Sequence, residues 1–552
     1  MPLAQAPAAL RRAATLLALV LAVVVGSAGP AAAHANLLRT TPADGTVLTT
    51  APTDVVLRFS EAVGTSLGAL KVLAPDGRRV DTGEVNTRSD SREVVVPLRP
   101  RLDEGTYLLL WRVVSEDGHP VSGSSIFSVG RESAVADAGD PGGGSVAGRA
   151  LGVSRFVAFA GLVVLLGSVV FLVTVDRLRS RTPRVLRLVA LGTAAAAVGT
   201  TAAFLLQGPY GAGEPVTAAL RPSLLGAVAE TRFGIAMITR LVLVVALALA
   251  LRHWLRRGAG WAPYVAGAAG VGIAVATSVS GHAGVGDLTW LAVPLDTAHL
   301  LAAGAWVGGL ALLGTVVLTT DDATDLRRLL SRWSRLAATA VAVLVVTGLF
   351  ASWREVRELP ALPRTTYGTL LIGKSEVVLG MLVLGAAGRA FVQRYAGGGG
   401  AAVSRLRRSV AWEATVAAVV LAITAALVET TPARSSYSPT FVAHERVGAD
   451  LMATVRVAPA RAGINTLTVL VAEPDGDPAE VPEVSARLTH AHGPGHDAAM
   501  ADVISVDVPR VAAGRYEQPR VVLPAPGTWR VELLVRTSEI DATTLNLELP
   551  VR

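Results

Sequence analysis

Cysteine is absent from all 552 residues, which excludes disulfide frameworks, thiolate metal sites and CxxC redox chemistry. Any metal must be held by His, carboxylate, Met or backbone. Lysine is nearly absent as well: 48 of the 50 basic residues are Arg, leaving only Lys71 and Lys374. Charged residues make up 17% of the chain against 51% hydrophobic, and the mean hydropathy is +0.49. That balance implies a membrane protein with soluble parts. A formal charge of +7 would suit nucleic acid, but the arginines cluster between apolar runs, where membrane topology explains them better. No nucleic-acid partner is expected. There is no phosphate-binding loop and no D-K-T-G-T phosphorylation motif, which argues against an ATP-driven pump.

What is present divides the chain into five stretches. Residues 1–33 carry Arg11 and Arg12, an apolar run over 13–25 and the small-residue segment GSAGPAAA, the pattern of a secretory signal cleaved ahead of His34. Residues 34–130 alternate short apolar runs with turn signals and read as an all-β, immunoglobulin-like sandwich. Residues 131–150, rich in Ala, Gly and Asp, read as a flexible linker. Residues 151–430 hold eight apolar spans, near 152–175, 185–206, 233–252, 261–280, 290–318, 334–352, 370–392 and 409–428, and predict an eight-helix transmembrane bundle. Residues 431–552 return to alternating strands and predict a second β-sandwich.

Loop charge orients the bundle. With 34–150 outside, the inner loops carry sixteen arginines, from Arg177 to Arg408, and the outer loops carry Arg221, Arg354, Arg357 and Arg364. The asymmetry predicts a multi-pass protein of a bacterial cell membrane with both β-domains extracytoplasmic.

The residues able to carry chemistry fall into three groups. His34, as a mature N-terminus, offers an amine and an imidazole, a chelate that suits Cu(II), and Asp117 and His119 stand two apart in the turn SEDGHPVSG. In the membrane, His282 sits in a short loop and Asp296 and His299 share a helix face at i and i+3. These three predict a metal route at the outer mouth, although Asp296 and His299 suit helix-to-helix hydrogen bonding equally well. Arg240, Lys374, Glu376, Arg389 and Glu413 are further intramembrane charges, for which pairing, or snorkelling by the arginines, is expected. In the last domain, THAHGPGHDAAM places His490, His492, His496 and Met500 in one loop, a set that suits Cu(I), Cu(II) or Zn(II), with an exposed polar hairpin as the alternative.

Three resemblances follow from these motifs. The start AHA, the segment PADG from Pro42 and WRVVSEDGHPVSGSSIFSVG from Trp111 resemble the CopC family of periplasmic copper-binding proteins. In that family the N-terminal His joins the Asp and His of D-G-H to bind Cu(II), which implies His34, Asp117 and His119 here. A Met-rich Cu(I) site is not implied, because no Met lies between His34 and Gly130. SGHAG from Ser280, DTAHLLAAGAWVGGL from Asp296, TYGTLLIGKSEVVLG from Thr366 and PAR at 432–434 resemble the CopD membrane domain. The last domain resembles the YtkA-like domain. Together they imply a non-enzymatic copper protein that captures Cu(II) outside and conducts copper across the bilayer in copper import and homeostasis, with its periplasmic copper donors and cytoplasmic acceptors left open. Two alternatives stand beside it: a haem-binding or redox membrane protein acting on copper, with His282 and His299 as ligands, and extracytoplasmic copper sequestration or resistance without transport.

Overall fold

The computed structural model describes residues 35, 37–116, 118–135, 146–175, 183–257, 260–286, 288–317, 323–395, 400–437, 439–490, 503–523 and 527–551. The proposed signal segment, His34, Asp117, His492, His496 and Met500 lie outside the described residues.

The first domain is two four-stranded sheets sharing one core. Strands β1 (Leu37–Thr41), β3 (Asp54–Phe59), β6 (Glu93–Pro97) and β5 (Asn86–Arg88) form one sheet in that order. The other runs β2 (Thr46–Leu48), β8 (Pro120–Val129), β7 (Gly105–Ser115) and β4 (Val63–Leu73), with β2 parallel to β8. Alternation dictates the inward set. Val55, Leu57 and Phe59 of β3 meet Val72 of β4 and Trp111 of β7, and the Trp111 ring stands edge-on to Phe59 at 5.5 Å.

Eight helices among the described residues are long and apolar enough to cross a membrane. We label them α1 (Val146–Thr174), α2 (Pro183–Ala212), α3 (Arg232–Arg257), α4 (Ala262–Val279), α5 (Thr289–Ala303 and Gly309–Val317, joined by a π-helical turn at Gly304–Gly308), α6 (Ala323–Val356), α7 (Thr366–Tyr395) and α8 (Gly400–Glu429). An even number of spans returns the chain to the end it started from, so both β-domains attach at one end of the bundle.

The fifth run contains that wide π turn. Gly304 and Gly308 lie there against α1: a Cβ on Gly308 would stand 2.0 Å from Val163 O, and one on Gly167 would stand 2.5 Å from Gly304 O. The small residues therefore serve close helix packing. Trp306, on the same turn, is buried in the bundle core and is a packing aromatic. We expect Gly308→Val to force α1 and α5 apart at a cost on the order of 3 kcal/mol, seen as a fall in the thermal unfolding midpoint of the purified protein.

The C-terminal domain repeats the two-sheet plan. Strands β14 (Arg510–Ala512), β15 (Arg515–Leu523), β11 (Gly463–Ala472), β10 (Leu451–Ala458) and β9 (Phe441–Val447) face β13 (Val503–Asp507), β12 (Glu483–His490), β16 (Gly527–Arg536) and β17 (Ala542–Val551) around a core centred on fully buried Trp529. It touches the first domain where Arg520 Nη2 lies 3.6 Å from Asp44 Oδ2.

Candidate metal route at the domain junction

The turn between β7 and β8 is built to present His119. Gly118 has φ +87°, a conformation that favours glycine, and its N–H donates to Ser115 O at 2.9 Å. The Ser115 N–H and hydroxyl both donate to His119 O at 2.9 Å. His119 is buried by this turn and by what lies beneath it. Glu61, which the sequence reading did not single out, belongs to the same end of the domain: it precedes Val63, whose register partner is Ser115, and it is buried. The signal was available, because Val55, Leu57, Phe59 and Glu61 continue one inward-facing alternation.

Beneath the turn lies the end of the bundle. Gln207 Nε2 of α2 donates to Gly118 O at 2.6 Å. From β7, Arg112 Nε donates to Gly211 O at 2.8 Å and Nη2 to Tyr210 O at 2.7 Å, with burial pulling this guanidinium below its ordinary pKa. Leu67 and Val114 pack on Ala218, Leu224 and Val228 of the α2–α3 connection. The junction is thus apolar contact fastened by hydrogen bonds to backbone carbonyls.

This docking stacks His119 on His282. The rings are 5.2 Å apart, centroid to centroid, with 20° between their planes. The His282 loop is clamped from two helices. Arg354 of α6, only 2% exposed, donates from Nη1 to His282 O at 2.9 Å and from Nη2 to Val285 O, while Arg232 Nη2 of α3 donates to Gly284 O at 2.6 Å. Arg354 is itself held by Glu355 at 2.8 Å, and Glu355 by Arg434 at 3.1 Å. Arg354, expected as an outer loop charge, is instead buried inside this clamp.

Deeper in the bundle, Asp296 accepts a hydrogen bond from Ser278 and lies within electrostatic reach of His282 and Lys374. Asp296 is the carboxylate whose charge bears on Lys374. His299 Nδ1 stands 2.8 Å from Thr347 Oγ1, and that hydroxyl donates to Val343 O at 2.7 Å. With its hydrogen spent on Val343, Thr347 accepts from Nδ1–H, which leaves the lone pair on Nε2. Thr347, rather than Asp296, orients the His299 ring. Along α5, Asp296 lies about 10 Å and His299 about 15 Å from the first residue of the helix. Among the described residues, no three His or acidic side chains are grouped to hold one metal ion. His282, Asp296 and His299 therefore lie at successive positions rather than forming one three-ligand centre.

Three family models match this chain, in the order of its parts: the CopC domain over residues 37–130, the Copper resistance protein D-like N-terminal domain over 147–290, and Copper resistance protein D over 327–427. The chain is a CopC/CopD fusion. It is 29% identical over 473 residues to the copper transport protein CutJ of Bacillus subtilis, covering 81% of this chain and 83% of that one. Protein YobA of Escherichia coli is 38% identical over 98 residues, 18% of the fusion and 79% of YobA. Among solved structures, CopC from Methylosinus trichosporium OB3b is 27% identical, covering 19% of the fusion and 98% of that chain with a TM-score of 0.17. PcoC, a methionine-rich copper resistance protein from Escherichia coli, is 29% identical, covering 17% and 98% with a TM-score of 0.16. The CopC/CopD fusion functions in copper handling.

The remaining candidates of the fusion lie apart from this line. His490, at the end of β12, packs its ring 4.9 Å from Trp529, and the rest of its loop is outside the described residues. Glu376 is exposed and Glu413 half-buried, while nothing is described of the Arg389 side chain. Arg240 neither snorkels nor pairs with a carboxylate among the described residues. It is buried on the inward face of α3 beside Ser280.

Proposed function

We propose that this fusion captures Cu(II) at its extracytoplasmic CopC domain, through His34, Asp117 and His119, and passes copper inward by way of His282, Asp296 and His299. The observation that carries this reading is the stack of His119 on His282. An imidazole from the binding turn faces an imidazole of the membrane domain, so a metal leaving one finds the next ligand adjacent. Asp296 and the Nε2 lone pair of His299 continue the series of N and O donors downward, a set that suits copper. Docking through Arg112 and Gln207 replaces a diffusional encounter with a standing contact, which raises the effective concentration of donor at acceptor. The chain makes and breaks no covalent bond in this scheme and is not an enzyme. The arginine asymmetry of the loops supports a location of both β-domains outside the cell membrane.

The test is radiocopper accumulation in cells expressing the chain, in cells lacking it, and in cells carrying His299→Ala. Accumulation above the null strain in the wild type, falling by about tenfold with His299→Ala, is the expected result. Equal accumulation in all three would favour sequestration outside the membrane.

A further inference from the structure

The interior of the bundle near the junction carries a positive charge that no side chain balances among the described residues. Arg155 of α1 is buried and pairs with Glu429 at the end of α8, Nη1 to Oε1, at 2.6 Å. Arg240 of α3 is 5% exposed and lies about 12 Å along the helix from Arg232. It shares its face with buried Phe233, Met237 and Val244, so its side chain is directed into the bundle rather than back to the surface. Its hydrogen bond is a long one, Nη2 to Ser280 Oγ at 3.3 Å, and its Nε has no hydrogen-bond partner among the described residues. No carboxylate comes within ion-pair distance of it among those residues, and the charge that bears on it is that of Arg155, of like sign.

A guanidinium does not shed its proton under ordinary conditions, so it cannot escape burial by becoming neutral. An unpaired charge left in a bundle interior costs several kcal/mol. Among the described residues, two guanidiniums and one carboxylate leave one positive charge over. Thr200 of α2 is a further buried donor of the bundle: its hydroxyl has no hydrogen-bond partner among the described residues. The adjoining Gly199 packs directly on Ser154 and Ala158 of α1, beside Arg155.

We infer that Arg240, Ser280 and Arg155 border a binding site for one small monovalent anion. Arg240 is its principal ligand, donating Nε–H, and chloride is the simplest occupant. Ser280 precedes His282 by two residues, so a bound anion would lie next to the mouth and offset the repulsion that two guanidiniums exert on an arriving cation. The site does not depend on whether, or in which direction, copper moves, so it can fail or hold independently of the transport reading.

The test uses the full chain in lipid nanodiscs without copper. Equilibrium dialysis with radiolabelled chloride should show a saturable site that bromide empties and gluconate does not. Replacing gluconate by chloride at constant ionic strength should raise the tryptophan-monitored unfolding midpoint on the order of 5 °C at saturation. Arg240→Gln should abolish both effects. If Arg240→Gln does not fold, Arg240→Lys, which keeps the charge but loses the planar fork, should bind chloride about tenfold more weakly. Absence of displaceable chloride in the wild type, full binding in Arg240→Gln, or unchanged affinity in Arg240→Lys would each overturn the inference.

Discussion

Replacing His282 with alanine lowers copper accumulation on the order of tenfold, toward that of cells lacking the chain, while Cu(II) binding to the first domain persists. The substitution removes the ring that stacks on His119 at 5.2 Å and leaves the backbone of the loop untouched. Arg354 and Arg232 grip the carbonyls of His282, Val285 and Gly284, not the imidazole, so the loop keeps its place. Binding and passage should therefore separate. Cu(II) electron paramagnetic resonance on the purified variant should match the wild type while radiocopper accumulation falls. If both fell together, His282 would be part of the capture site. If neither fell, it would have no part in the route.

Arg354→Gln should have the largest effect on stability. The wild-type side chain is 2% exposed and joins two loop carbonyls to Glu355, which in turn holds Arg434. A glutamine cannot reach this set, and half of the charge balance around Glu355 goes with the guanidinium. Removing one partner of a buried ion pair costs about 3–5 kcal/mol. A matching drop in the thermal midpoint should accompany reduced copper accumulation. Arg354→Lys should recover little of either, because a point-like ammonium cannot bridge two carbonyls and a carboxylate in fork geometry. Recovery by lysine would show that charge alone, not the clamp, matters here.

Much of the architecture was legible in the sequence because it rests on periodicity. The alternation of Val55, Leu57 and Phe59 announces a strand with one inward face, and eight apolar runs announce eight spans. The turn holding His119 was legible from D-G-H, since glycine there supports the positive φ of Gly118. The junction was not legible. Gln207 meets Gly118 across 89 positions, and Arg112 meets Tyr210 across 98, and no local pattern encodes such partners. The same reason explains Arg354, whose place at the end of an apolar run looks like a surface charge until the His282 loop folds over it. Position along a helix also settles depth but not grouping. The i, i+3 spacing of Asp296 and His299 set them on one face, yet Thr347, contributed by α6, fixes the His299 ring, and Ser278, from α4, bonds Asp296.

The central claim is that copper enters the membrane domain through the His119–His282 contact and moves inward. Right-side-out membrane vesicles loaded with a copper-sensing dye test it directly, with Cu(II) supplied outside in the presence and absence of ascorbate. The account predicts a rise in internal signal for the wild type, a rate on the order of tenfold lower for both His119→Ala and His282→Ala, and background signal without the chain. Entry at the wild-type rate in His282→Ala vesicles, or loss of preloaded copper outward without any entry, would contradict it.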